Sequence, residues 1–171
     1  MTPRADEASA DMNELSHGAT RFASQLDRLG IVCQVREMPE STRSAPEAAA
    51  AVGCDVAQIV KSLIFRSVEG DEPVLVLVSG SDRVDETRLS ELVGGKVERA
   101  TAEFVRARTG YAIGGVPPLG HTTPIVTYLD EHLLAHALVW AAAGSPRAVF
   151  PIAPADLRRI TSATVVDVAA R

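Results

Sequence analysis

Cysteine, lysine, aromatic residues and long apolar runs are all scarce in this chain, and each scarcity narrows what it can be. Cys33 and Cys54 are the only cysteines among 171 residues. Two thiols without Cys-x-x-Cys spacing make no disulfide framework, and a reduced, cytoplasmic compartment is the simplest reading. Aromatics make up 4% of the chain against 46% hydrophobic residues overall, so a sizeable core is available, built mostly of Val, Leu, Ile and Ala. No apolar run is long enough to read as a membrane span. The first fourteen residues are polar and acidic, unlike a signal peptide. Residues 1–13 are expected to be disordered, leaving a single domain over 14–171.

Basic charge is also lacking. Seventeen Lys and Arg face twenty-two Asp and Glu, a net charge of −5. Without a global basic field, contact with a nucleic acid would have to be local, through a small patch. Fifteen of the basic residues are arginine, leaving Lys61 and Lys96 as the only lysines. Nucleophile and nucleotide motifs are missing too. There is no Gly-x-Ser-x-Gly, and neither cysteine has a catalytic signature. The glycines fit neither a Rossmann nor a Walker loop. An enzyme of this composition would work by positioning and main-chain electrostatics.

What is present is mixed secondary structure. Leu15, Phe22, Leu26 and Leu29 recur at helical spacing before Gly30. Ile31–Glu37 alternates like a strand. Ser44-Ala-Pro-Glu47 is a capping-box pattern opening an Ala-rich helix that Gly53 ends, and Asp55 caps one further turn. Ile59–Ser67 and Val74–Val78 read as a hairpin around an acidic turn. Helices follow over Asp85–Val93 and from Thr101 to Gly110, with a short strand between them at Lys96–Arg99. Strands are expected at Pro124–Leu129, Leu138–Ala143, Ala148–Ile152 and Thr164–Val168, with a helix at Pro154–Ile160. The order does not alternate βαβ throughout. It predicts an α+β fold with a mixed, largely antiparallel barrel-like sheet flanked by helices.

Gly110 to His121 holds four glycines and two prolines among apolar neighbours. Glycine admits positive φ and close approach to the main chain, and proline fixes φ. The segment reads either as a tight connection or as a rigid pocket wall. Lys61 falls in line with Ile59, Leu63 and Phe65 on its strand. An ammonium there either snorkels to water or sits at a pocket mouth facing an anionic or carbonyl oxygen. His132 and His136, four apart, would share a helical face and could bind zinc, though no His-Glu-x-x-His accompanies them. His121 is either a pocket residue or a surface histidine. Asp130 is either a site residue or a helix N-cap.

Three stretches together resemble a known family. They are Glu47 to Gly53, Gln58-Ile-Val-Lys61-Ser-Leu-Ile-Phe65, and Gly110-Tyr111-x-x-Gly114-Gly115-Val116-x-Pro118-x-Gly120. This pattern is similar to the YbaK/EbsC aminoacyl-tRNA deacylases, relatives of the editing domain of bacterial prolyl-tRNA synthetases. The likeness continues through Asp130 and from Gly144 to Leu157. It implies hydrolysis of the ester joining a wrong amino acid to the 3′ end of a tRNA, often a tRNA for proline, by a free-standing protein acting in trans. It implies that Lys61 is required, and that the main chain at Gly114, Gly115, Val116, Pro117 and Pro118 orients the ester. Water would be activated by the substrate's own ribose hydroxyl, with no metal or other cofactor. Tyr111, Gly120, Asp130, Gly144 and Ser145 fall within the matched stretches and are expected to bind substrate. Thr42, Ser44, Ser62 and His121 are the side chains expected to set specificity. Gly144-Ser145-Pro146 replaces the paired glycines of the cysteine-removing type, which argues against cysteine as the residue removed. The expected partners are the acceptor end of aminoacyl-tRNA and prolyl-tRNA synthetase, with no membrane. The competing reading is a non-catalytic module of the same fold that binds a tRNA end or a synthetase.

Overall fold

The structure, a computed structural model, describes residues 15–170; the expected disorder of residues 1–13 lies outside that range. Helix α1 (His17–Arg28) begins where Ser16 Oγ accepts from the Ala19 N–H at 3.3 Å, and buries Ala19, Phe22 and Leu26. Leu29, expected on the same face, is the C-cap and is exposed, because the chain turns away there at Gly30, φ +70°.

The strand expected at Ile31–Glu37 contracts to β1 (Arg36–Glu37). Ile31, Cys33 and Val35 do pack on the core while Val32 and Gln34 face solvent. The alternation thus reported burial correctly, but no strand among the described residues pairs with residues 31–35. Helix α2 (Ala45–Val52) runs from the Ser44 cap to Gly53, whose φ of +74° ends it. A single turn (Val56–Gln58) then leads into β2 (Ile59–Ser67), which pairs antiparallel with β3 (Glu72–Ser79). Helix α3 (Glu86–Val93), capped by Asp85, precedes β4 (Val97–Arg99), and α4 (Ala102–Thr109), capped by Thr101, follows it. The remaining elements are β5 (Val126–Asp130), one 3₁₀ turn (Glu131–Ala135), β6 (Val139–Ala142), β7 (Ala148–Ile152), α5 (Pro154–Thr161) and β8 (Thr164–Val166).

The sheet runs β1-β7-β6-β2-β3-β5-β8, with β4 also on β2. Pairs β1–β7, β6–β7, β2–β3 and β2–β4 are antiparallel; β2–β6, β3–β5 and β5–β8 are parallel. The α+β class and mixed sheet are as expected, but β1 and β8 remain at opposite ends and the sheet does not close into a barrel. Both faces are covered. Val60, Ile64, Leu75 and Leu77 pack with Phe22, Leu26, Val105 and Phe150, and the Phe22 and Phe150 rings lie 5.1 Å apart. Phe65, Val74 and Val76 pack on the other face against Leu89, Val97 and Val168. Strand β3 is therefore buried on both sides, which is why it reads as an unbroken apolar run.

One irregularity of this sheet makes the site. The edge of β2 away from β3 pairs with β6 only at Ile59 and Val60, and with β4 only from Phe65 to Ser67. Residues 61–64 have no strand partner there among the described residues. A split opens in the sheet at that point.

Candidate functional site

A cleft of about 470 Å³ opens at the split. Lys61, Ser62 and Leu63 of β2 line it, together with Ile113, Gly114 and Val116 and with Thr42, Ser44 and Trp140. A smaller, half-open chamber of about 130 Å³ adjoins it, sharing Ser62, Gly114 and Val116 and lined further by Ile64, Phe65, Arg99, Ala100 and Val105.

The Gly/Pro segment is a braced wall. Gly110 has φ +82°, ends α4, and offers its carbonyl to the Arg21 guanidinium at 2.7 Å. Arg21 also stacks over the Tyr111 ring, 4.1 Å from its centroid, and donates to the Tyr111 hydroxyl. That hydroxyl donates to Gln25 Oε1, and Gln25 Nε2 donates to the Gly120 carbonyl at 3.1 Å. The Gly144 N–H donates to the Gly115 carbonyl at 3.0 Å. The His121 ring closes the turn: its Nε2 lies 2.7 Å from the Pro117 carbonyl, so this nitrogen carries the proton and donates. Burial pushes the His121 pKa down, against the opposing effect of that bond, so the ring favours its neutral form. Helix α1 thus holds both ends of the wall.

Lys61 is half-buried, and its Nζ donates to the main-chain carbonyl of Asp82. Burial lowers its pKa from the ordinary lysine value; the Asp82 carboxylate opposes this, and Arg83 and Arg99 add to the lowering. Among the described residues the cleft is cationic: Lys61 and Arg43 are its charged lining residues, with no acid or histidine among them. Both thiols are pushed up by burial, then by Asp156 at Cys33 and Asp55 at Cys54, which favours the un-ionised thiol. Ser62 Oγ is buried and makes no hydrogen bond, alone in this among the described residues.

The residues singled out in sequence separate into two groups. Lys61, Ser62, Gly114, Val116, Thr42 and Ser44 meet at the cleft. Tyr111, Gly115, Pro117, Pro118, Gly120, His121, Gly144 and Ser145 do not line it; they build and brace its wall. Gly115 packs so closely on Ser145 that an added Cβ would lie 2.7 Å from the Ser145 carbonyl carbon. Ser145 Oγ in turn donates to the Glu37 carboxylate. Thr42 Oγ1 donates to the Pro146 carbonyl, and Ser44 caps α2. Asp130 is fully buried, does not line the cleft, and accepts the N–H groups of His132, Val168 and Ala169, capping the 3₁₀ turn.

His136 follows the end of the 3₁₀ turn and does not join His132. The group of three that a metal could bridge, among the described residues, is instead Asp82, Asp130 and His132, with His132 Nδ1 2.8 Å from Asp82 Oδ2. Sequence reasoning missed Arg43, Ile113, Trp140 and Arg99. Arg43 carried a faint signal, lying between Thr42 and Ser44. Arg99 carried none, because only the pairing of β4 on β2 brings it to the chamber.

Comparison with known proteins now bears on these residues. The sequence profile of the family described as aminoacyl-tRNA editing domain matches residues 39–160. The chain belongs to that family. The match contains every residue that lines the cleft. Over 135 residues this editing domain is 31% identical to YwhH of Bacillus subtilis (strain 168), a protein of uncharacterised role, covering 78% of this chain and 85% of YwhH. It is 26% identical to EbsC of Enterococcus faecalis, proposed as a Cys-tRNA(Pro)/Cys-tRNA(Cys) deacylase, over 75% of this chain and 79% of EbsC. A solved structure of a proposed trans-editing enzyme for prolyl tRNA synthetase superimposes with a TM-score of 0.87 at 49% identity, over 92% of this chain and 100% of that one. The editing domain is of the YbaK/EbsC type. No helix among its described residues is long and apolar enough to cross a membrane.

Proposed function

We propose that this editing domain hydrolyses the 3′ aminoacyl ester of mischarged tRNA, acting in trans, and that tRNA for proline is its substrate. The observation carrying the reading is the Lys61 ammonium, held by the Asp82 carbonyl, lining the same cleft as Gly114 and Val116 of the wall. Water adds to the acyl carbon, and the bond to the ribose oxygen breaks with that oxygen taking a proton. Negative charge develops on the acyl carbonyl oxygen during addition. Lys61 stabilises it, and the fixed main chain of the wall orients the ester. With no carboxylate or imidazole lining the cleft, the neighbouring hydroxyl of the terminal ribose serves to activate the water. Similarity to a proposed trans-editing enzyme over its whole length supports action in trans, and prolyl-tRNA synthetase as a partner.

The test is release of amino acid from a panel of mischarged tRNAs for proline. Native protein should release at least one, and Lys61→Met should abolish most of that release. No release from any member at micromolar protein would refute the reading. The absence of a protein base from the cleft lining favours one competitor, a binding module for the acceptor end. That reading predicts measurable binding of the same tRNAs with every ester left intact.

A further inference from the structure

A lysine ammonium rides on a flexible four-carbon stem. Strand β2 therefore fixes where Lys61 starts, and the acceptor of the ammonium, the Asp82 carbonyl, fixes where its charge ends. Asp82 lies in the link between β3 and α3, outside both elements. Two sets of contacts hold that link. The first grips Asp82 itself. Its N–H donates to the Ser79 carbonyl at 3.0 Å, and its Oδ2 lies 2.8 Å from His132 Nδ1. A carboxylate only accepts, so this nitrogen carries the proton and donates. The second set grips the residues that follow. The Ala170 N–H donates to the Arg83 carbonyl at 2.7 Å and the Asp85 N–H to the Val168 carbonyl at 2.8 Å, with Val84 bridged to Ala169.

Both sets converge on Asp130. Its Oδ2 accepts the His132 N–H at 3.1 Å, and its Oδ1 accepts those of Val168 and Ala169 at 2.9 and 3.1 Å. Asp130 is fully buried, where bonds to a carboxylate are strong and hold their geometry. Neither Asp130 nor His132 lines the cleft. We infer that His132 is a positioning residue for Lys61: anchored on Asp130, it pins the Asp82 side chain and so fixes the carbonyl that receives the ammonium. The consequence for rate rests on the deacylase reading above; the placement of the ammonium does not. Pinning the Asp82 carboxylate also keeps it where it favours the charged form of Lys61 against burial. Misplacing a catalytic group by about 1 Å can cost on the order of 10² in rate. The contacts of residues 83–85 survive a change at His132, so a partial loss is expected. A divalent cation bridging Asp82, Asp130 and His132 is the rival use of the same groups, and it would displace the Nδ1 proton on which this arrangement depends.

His132→Leu removes the donor. His132→Asn returns one, because Asn Nδ2 and His Nδ1 are carried on the same carbon. Labelling lysine Nζ with 15N reads the ammonium directly in the full chain: Lys61 and Lys96 are the only lysines, Lys96 is exposed, and Lys61→Met identifies the Lys61 signal. In the native protein that signal should stand apart from Lys96, with slow proton exchange against water. His132→Leu should move it towards Lys96 and speed its exchange at least fivefold, and His132→Asn should restore both. Asp82→Ala keeps the carbonyl and removes the same contact from its other end, so it should displace the signal as His132→Leu does. On mischarged tRNA for proline, His132→Leu should lower kcat about tenfold with KM within about twofold, and His132→Asn should keep kcat within about threefold of native. Thermal melts identify the folded variants, and Asp82→Ala decides should His132→Leu not fold. An unmoved Lys61 signal in a folded His132→Leu or Asp82→Ala, a kcat for His132→Leu within about twofold of native, an equal loss in His132→Asn, or stoichiometric divalent metal in the purified native chain would each overturn the inference. Should no ester be hydrolysed, the deacylase reading fails, and the lysine signal alone decides the positioning.

Discussion

Replacing Lys61 by methionine separates the function of the ammonium from its structural role. Methionine keeps an unbranched stem of similar length, so packing against Leu63 and Ile59 on β2 changes little. Two effects on stability oppose one another. The hydrogen bond to the Asp82 carbonyl disappears, at a cost of about 1 kcal/mol. Burial disfavours the charge, as its lowered pKa records, so removing it relieves a penalty. The expected net change is within about 1 kcal/mol. The rate should behave differently. Losing one preorganised group aimed at a developing oxyanion costs roughly 10²–10³ in kcat, about 3–4 kcal/mol of transition-state stabilisation. Single-turnover deacylation measured beside urea denaturation reads both quantities on one preparation.

The pH dependence adds a second signature. In the proposed mechanism the active form is the ammonium, so the enzymatic rate should be lost as pH rises through a value below the ordinary 10.5 of lysine. Stability runs the other way. Between the lowered folded pKa and the unfolded one, the unfolded chain binds more protons, so stability rises with pH across that window. Aminoacyl esters also hydrolyse spontaneously in alkali, and Lys61→Met provides the baseline to subtract. A variant retaining a third or more of the native rate, or a native rate that does not fall in alkali after subtraction, would refute the assigned role.

Three further perturbations test the wall and the cleft. Gly115→Ala places a Cβ 2.7 Å from Ser145 backbone, so the two segments must part and stretch the 3.0 Å bond from Gly144 N–H to the Gly115 carbonyl. A loss of about 2–4 kcal/mol is expected in chemical denaturation, and a loss below about 0.5 kcal/mol would show the wall to be slack. His121→Gln keeps a donor for the Pro117 carbonyl but removes a group with lowered pKa. As pH falls through 6.5 the unfolded native chain takes up the proton first and stability drops, so the variant should lose less stability between pH 7 and pH 5 in thermal melts. Arg43→Ala should raise KM for aminoacyl-tRNA severalfold with little change in kcat, and lower the slope of log KM against log salt by about 0.7; an unchanged slope would remove Arg43 from phosphate contact.

Much of this was legible in the sequence because local signals and burial agreed. Ser44, Asp85 and Thr101 cap the helices they were expected to open. The hairpin of β2 and β3 follows from apolar content on both sides of an acidic turn. Residues 31–35 failed as a strand because alternation records which side chains are buried, not whether another backbone is present to pair. Closure of the sheet was illegible for a related reason, since it depends on where β1 and β8 end in space. The site divided in the same way. Lys61 announced itself as a charge on an apolar strand face. Tyr111 and Gly120, expected to bind substrate, brace the wall through Gln25, and a glycine that meets a ligand and one that meets the Gln25 side chain leave the same mark in a sequence. Arg99 acquires meaning only once β4 joins β2, and Ser62, named in sequence only through the resemblance, falls in the stretch of the β2 edge, residues 61–64, that has no strand partner among the described residues.

The overall charge of −5 and the cationic cleft are compatible on distance grounds. At physiological salt, charges more than about 8–10 Å apart are largely screened. An incoming phosphate at the cleft mouth therefore responds mainly to Lys61 and Arg43, and to the groups near enough to shift the Lys61 pKa, Arg83 and Arg99, whose attraction the Asp82 carboxylate partly offsets. The acids elsewhere on the chain still repel the distant body of a tRNA during approach at low salt. Such a surface favours engagement of the last few nucleotides over wrapping of the whole molecule. Its binding should therefore depend only shallowly on salt, with a slope set by a handful of phosphates. A minihelix ending in the mischarged nucleotide should then be hydrolysed nearly as well as full-length tRNA, unless a second protein supplies contacts to the body.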